Sequence, residues 1–253
     1  METLEYTNFQ VWSYSILGGL SVSSGALLIW SYLKVPTLRT KLGLTVLWTC
    51  MALMCLCFYF VYSAFSYLAT ERLHSAGTCF LHGIVTSCLT LVSWNYALVL
   101  ALQVGLGWDT KYSHTFSIGF GALLSFALAL TDSLGVSVFS VCFVKMGSWG
   151  ELLFFVFIAY LPLYVFGVLK GVRKKSQKYS LILLVFTLFM LPFSVAHLVF
   201  YFNSTAFIVR EVGALTISSS GLVLNLLRMT HINFKQLLKK SRNYDLTEPV
   251  FTT

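Results

Sequence analysis

Charged side chains are scarce in this chain. Asp, Glu, Lys and Arg make up 10% of its 253 residues, where a soluble globular domain carries about 25%. Apolar residues reach 57%. A sphere of this size cannot hide so much apolar side chain from water, so lipid must act as the second solvent. No segment outside the apolar runs is long enough for a soluble domain. Acids are fewer than bases, 9 against 17. No catalytic carboxylate pair, Cys/His metal spacing or Gly-rich phosphate loop occurs, so no enzyme, metal or cofactor is expected. A basic leader is also lacking. Met1 to Gln10 carry Glu2 and Glu5 and no base, unlike a secretory signal. The first apolar run is expected to direct its own insertion.

What is present is a series of long apolar runs. A helix needs about 20 such residues to cross the hydrocarbon core. Seven runs qualify: Val11–Leu33, Leu42–Leu68, Cys79–Leu106, Thr115–Leu134, Glu151–Leu169, Tyr179–Phe202 and Val212–Met229. Barrel strands would be about half as long and would alternate polar with apolar residues. The expected fold is therefore an all-α, seven-transmembrane helix bundle over residues 11–230. Residues 1–10 form a short outer segment and residues 231–253 an inner helix and tail.

Charge gives the direction. With the N-terminus outside, every base except Arg72, Lys145 and Arg210 falls on the cytoplasmic side. That distribution satisfies the positive-inside rule. The net charge of +8 is then a topology signal, and nucleic acid is not an expected partner. After the last run, Phe234, Leu237 and Leu238 share one helical face, with Lys235, Lys239 and Lys240 largely off it. This reads as a short amphipathic helix on anionic inner-leaflet lipid; a frayed basic tail is the alternative. Asn203-Ser204-Thr205 matches the glycosylation pattern but lies in a very short outer loop.

Cysteine placement is specific. Cys50, Cys55, Cys57 and Cys88 fall inside runs and read as small buried hydrophobes. Cys79 opens the third run at its outer end, and Cys142 lies in the next outer loop. Both face an oxidising compartment. A disulfide tying that loop across the mouth of the bundle is expected, with two free thiols as the alternative.

Polar residues at membrane depth usually face the bundle interior. On span 3, at about 100° per residue, His82, Thr86, Thr90 and Ser93 fall within about 80° of one another. Span 6 offers His197 and Tyr201 in its outer half; span 7 offers Thr216, Ser218, Ser219 and Ser220. These residues form a candidate outer ligand pocket: His82, Thr86, Thr90, Ser93, His197, Tyr201 and Thr216. Interhelical or backbone hydrogen bonding explains the same residues without a ligand. Asn95 lies at about 220° on that wheel, opposite the stripe, and is expected to bond a neighbouring helix. Asn225 fits an inner polar network or plain packing. Pro162 and Pro192, inside spans 5 and 6, each remove a backbone donor and can kink their helix. The loop between those spans carries Lys170, Arg173, Lys174, Lys175 and Lys178. It orients the chain. With Arg39, Lys111 and Arg228 nearby, it also offers a basic edge to an acidic partner.

Several features together resemble a G-protein-coupled receptor. They are seven spans, an outer N-terminus, Cys79 atop span 3, Cys142 in the following loop and an amphipathic segment after span 7. Ser93-Trp94-Asn95-Tyr96 looks like the Ser-x-Trp or Phe-Trp segment of the slime-mould cyclic-AMP receptors and the secretin/adhesion receptors. Ser219-Ser220-Gly221-Leu-Val-Leu-Asn225 is similar to their Gln-Gly-x-x-x-Asn stretch, with Ser220 in place of the Gln. The pattern departs from the rhodopsin-like class. Span 3 ends Gln103-Val-Gly-Leu-Gly-Trp108-Asp109 without an Asp/Glu-Arg-Tyr triplet, and span 7 ends at Arg228 without Asn-Pro-x-x-Tyr. A large outer domain of the secretin type is not expected before span 1.

The resemblance implies an extracellular ligand, a heterotrimeric G protein as partner and a place in the plasma membrane. A small-solute transporter or channel is the competing class. It calls for intramembrane carboxylates, broken helices or repeats, and the candidate carboxylates Asp132 and Glu151 fall at the outer ends of spans 4 and 5. A retinal photoreceptor needs a Schiff-base lysine, and span 7 has none.

Overall fold

The computed structural model describes residues 7–35, 38, 40–70, 76–108, 112–173, 177–202 and 207–230. Among them seven helices are long and apolar enough to cross a membrane, which makes the chain a multi-pass membrane protein. They are α1 (Asn8–Lys34), α2 (Lys41–Thr70), α3 (Ala76–Leu106), α4 (Ser113–Leu130), α5 (Phe154–Arg173), α6 (Gln177–Phe202) and α7 (Phe207–Thr230). The amphipathic segment after span 7, Arg72, Asp109 and the Asn203 glycosylation pattern lie outside the described residues.

Local chemistry sets the ends. The Thr7 hydroxyl accepts from Gln10 N at 3.1 Å, while Gln10 Oε1 accepts from Thr7 N at 3.3 Å. This reciprocal box starts α1 three residues ahead of the expected Val11. A single π turn, Ser13–Gly18, then shifts its register. Span 4 was expected to run to Leu134, but α4 stops at Leu130. Asp132 takes a positive φ of 52° and Ser133 N returns to Leu128 O at 3.0 Å, so the chain leaves the helix. Leu134 instead opens a strand.

That strand belongs to an element with no expectation behind it. β1 (Leu134–Val136) and β2 (Cys142–Val144) form an antiparallel hairpin, pairing Leu134 with Val144 and Val136 with Cys142. A 3₁₀ turn over Trp149–Leu153 follows and leads into α5.

The seven helices sort by what they face. In α3, 78% of the most apolar stretch is buried, against 22% in α4. α3 is therefore the central helix, while α4 presents Leu123, Phe126 and Leu130 to lipid. With lipid as apolar as leucine, contact depends on close packing and interhelical polar bonds. A Cβ on Gly167 of α5 would stand 2.8 Å from the Ala101 backbone of α3, so only glycine permits that approach. Asn95 donates to Ser117 O of α4 at 3.1 Å and accepts from Tyr160 of α5 at 3.3 Å. It bonds neighbouring helices, as its position on the wheel implied. At the N-terminal end of α7, Arg210 donates to Gln10 Oε1 at 3.4 Å and lies 3.5 Å from Glu211 Oε1. That cluster ties α7 to the start of α1.

Candidate functional site

The hairpin is seated in one mouth of the bundle, and a disulfide joins Cys142 of β2 to Cys79 of α3. The expected bridge is therefore present. Two further contacts hold the hairpin. Cys142 O accepts from the Thr86 hydroxyl at 2.8 Å, and Phe139 O accepts from the Tyr14 hydroxyl at 3.2 Å. Glycines make room for it. A Cβ on Gly83 would lie 3.1 Å from Phe143 O, and one on Gly213 would lie 2.7 Å from the Phe139 ring.

The hairpin does more than cover the opening. Val138, Phe139 and Phe143 are each 0% exposed, so the loop fills the space between the helices. Phe139 stacks on Phe193 of α6 at 5.0 Å, and Phe143 meets Phe154 of α5 edge-on at 5.7 Å. Both rings also present to His197, at 4.9 and 5.4 Å. The His197 ring itself lies flat on Phe154, 3.8 Å between centroids. Below this cluster Trp94 packs on Phe154 and Phe157, and its carbonyl accepts from the Tyr164 hydroxyl at 2.9 Å.

Of the seven candidate ligand residues, two converge here. Thr86 touches β2 from α3, and His197 touches both hairpin phenylalanines from α6. His82 faces elsewhere, between Tyr59 and Tyr62 of α2 at 5.7 and 5.5 Å. Its place on the helical wheel left it at the edge of the stripe, where α2 rather than α6 is the neighbour. Thr90, Ser93 and Thr216 donate to carbonyls of their own helices at 2.9, 2.7 and 3.0 Å. Thr90 and Ser93 are buried, as is Thr86, whereas His82 is partly exposed. Tyr201 packs on the next residue, Phe202, near the end of α6.

Glu151 stands at the start of span 5, the expected place, but it is buried there. The chain re-enters the bundle after the hairpin and takes the carboxylate down with it, to 0% exposure. Its Oε2 accepts from Gly147 N at 3.2 Å, and its Oε1 stands 3.9 Å from His197 Nδ1. At that distance no hydrogen bond forms. Among the described residues, Glu151 Oε1 and both ring nitrogens of His197 have no hydrogen-bond partner. Phe139, Phe143, Phe154 and Phe193 carry no sequence signal that separates them from lipid-facing phenylalanines. Glu151 had one: it is the acid that begins an apolar run.

At the opposite end of the bundle, four of the candidate basic residues, Arg39, Lys111, Lys174 and Lys175, lie outside the described residues. Arg173 and Lys178 are exposed. Arg228 is not an exposed edge charge, as expected, but 2% exposed. It donates to the Tyr32 hydroxyl from Nε and Nη2 at 3.3 and 3.0 Å and sits over the Tyr179 ring at 5.7 Å. Among the described residues, a phenol oxygen and ring faces hold this cation. Gly221 and Asn225 of the span-7 motif pack on α1. The Ser21 hydroxyl donates to Ser218 O at 2.7 Å and accepts from Leu222 N at 2.9 Å, while Asn225 donates to Ser24 Oγ at 3.0 Å.

No protein-family model and no curated protein matches the sequence. By structure the chain is similar to squid rhodopsin, with a TM-score of 0.72 at 12% identity, over 98% of this chain and 90% of that one. At that identity the likeness concerns the fold: the chain has the seven-helix fold of the G-protein-coupled receptors.

Proposed function

We propose that the chain is a G-protein-coupled receptor that senses an extracellular ligand and signals to a heterotrimeric G protein. The observation that carries this reading is the asymmetry of the bundle. One end is built around a disulfide-pinned hairpin lined by buried aromatics, and the bases concentrate toward the other. In this reading the hairpin end and N-terminus are extracellular, the basic end and C-terminus are cytoplasmic, and the membrane is the plasma membrane. The charge distribution supports that orientation. The Ser93-Trp94 and Gly221–Asn225 motifs support kinship with the cyclic-AMP receptor-like and secretin/adhesion group. Thr86 and His197, which border the hairpin, are the first candidates for ligand contact. His82, Thr90, Ser93, Tyr201 and Thr216 follow. Arg39, Lys111, Arg173, Lys174, Lys175 and Lys178 form the partner face, with Arg228 behind it. The amphipathic segment at 233–240 is proposed as the part that meets inner-leaflet lipid.

The partner face has a direct test. Replacing both Lys174→Gln and Lys175→Gln leaves Lys170, Arg173 and Lys178 to hold the orientation, so insertion is retained. Exposed charges act mainly on association rate and are screened by salt. Guanine-nucleotide exchange on the partner should therefore fall severalfold at low ionic strength and much less at high ionic strength. Exchange unchanged at low salt would confine these lysines to topology.

A further inference from the structure

We propose that the hairpin is a displaceable plug that holds the basic end of the bundle shut through α6. A ligand would then act by lifting Phe139 and Phe143 out of their seat rather than by entering a vacant cavity. The ligand's part in this rests on the receptor reading; the mechanical link between the two ends does not.

The link runs along one helix. His197 of α6 is enclosed by the hairpin's Phe139 and Phe143, with Phe193 one turn below stacked on Phe139. Eighteen residues earlier on the same helix, roughly 27 Å away at helical rise, Tyr179 is 7% exposed at the basic end. Two other elements hold it there. Its hydroxyl stands 3.4 Å from Thr40 Oγ1 in the α1–α2 connection, and Arg228 of α7 lies over its ring. The next residue, Ser180, is 1% exposed and packs directly on Gly171 of α5. Pro192 lies between the two ends and removes one backbone bond from the helix, which is where such a helix bends. With the rings in place, α6 is fixed at both ends, and the basic end is closed.

The seat is also imperfect, as a displaceable one must be. The hairpin buries Glu151 Oε1 and both nitrogens of His197 without supplying any of them a hydrogen bond. Covering polar groups without satisfying them is costly. The lower cluster around Trp94 is better paired at its carbonyl, which accepts from Tyr164, although the indole Nε1 has no partner among the described residues. A molecule that replaces the two rings and bonds these atoms gains what the hairpin does not.

The test reads the basic end directly. Ser180→Cys places a thiol between α5 and α6 that reacts with a charged, membrane-impermeant thiol reagent only when those ends part. The full-length chain is used in lipid nanodiscs, and the parent without the reporter sets the background of Cys50, Cys55, Cys57 and Cys88. In the reporter chain, Phe139→Ala should raise the labelling rate about tenfold, a shift of about 1.4 kcal/mol in the open–closed equilibrium. Tyr14→Phe, which removes the hydroxyl that donates to Phe139 O, should raise it less, in the same direction. It decides the matter if Phe139→Ala does not fold. Leu56→Ala, a core change in α2 that leaves the hairpin rings and their hydrogen bonds intact, should lower thermal stability and leave labelling unchanged. Labelling unmoved by both Phe139→Ala and Tyr14→Phe would overturn the proposal, as would an equal rise in Leu56→Ala. Guanine-nucleotide exchange measured on the same samples separates the two claims. Opening without exchange keeps the plug and rejects the G-protein reading.

Discussion

Cys142→Ser should lower the stability of the folded bundle by at most about 4 kcal/mol, the chain-entropy value for closing a loop of this length. The bridge spans 63 residues. That value is an upper bound because the unfolded reference is not a free coil: spans 3 and 4, which make up much of the loop, stay inserted as helices. The local effect is larger than the global one. Without the bridge, the hairpin is held by the Thr86–Cys142 and Tyr14–Phe139 bonds and by its buried rings, and a neutral hydrogen bond contributes about 0.5–1.5 kcal/mol net. The hairpin then leaves its seat more readily, and the rings of Phe139 and Phe143 go with it. Thermal unfolding in detergent, followed for the variant and for the parent in reductant, should give the same lowered midpoint for both. A variant as stable as the oxidised parent would show that the bridge adds nothing to the fold.

Phe154→Ala should cost about 3 kcal/mol, the low end of the range for deleting a buried aromatic. Phe154 is 0% exposed and touches Trp94, Phe143, Phe193 and His197. It is the ring through which the hairpin, α3, α5 and α6 meet. The low end applies because burial among helices in lipid gains packing rather than release from water. Phe126→Ala removes the same atoms from a ring that is 60% exposed on α4, so its stability should change by no more than about 0.5 kcal/mol. Equal losses in the two variants, measured by thermal unfolding in the same detergent, would mean that the aromatic cluster is not the core of the bundle.

The bundle was legible in the sequence because lipid imposes one length and one composition on every span. The run Gln177–Phe202, for example, differs from its expected bounds by two residues at one end. The Cys79–Cys142 bridge was legible for a related reason. Once the spans and charges set the sides of the membrane, only these two cysteines faced the oxidising one. The hairpin was not. Its strands have three residues each, too few for an alternating pattern. Leu134 continued the apolar run of span 4 and was counted with it. The pocket was half legible. Helical periodicity places His82 and Thr86 on similar faces of α3, but it does not say which neighbour stands opposite each. Thr86 meets the hairpin; His82 meets α2. Serine and threonine add a further ambiguity, since Thr90, Ser93 and Thr216 satisfy themselves on carbonyls three or four residues back. Arg228 was misplaced because a base at the end of a span reads as a surface charge, whereas Tyr32 and Tyr179 let this one stay buried.

The most direct test of the receptor claim is a paired measurement in one preparation. The full-length chain is reconstituted into vesicles with a panel of purified heterotrimeric G proteins, and nucleotide exchange is recorded beside solute and ion flux. A receptor accelerates GTP-for-GDP exchange on at least one G protein, further when Phe139→Ala unseats the hairpin, with flux at the level of empty vesicles. Flux above that level, with exchange no faster than in vesicles lacking the chain, would contradict the receptor reading and assign the bundle to transport.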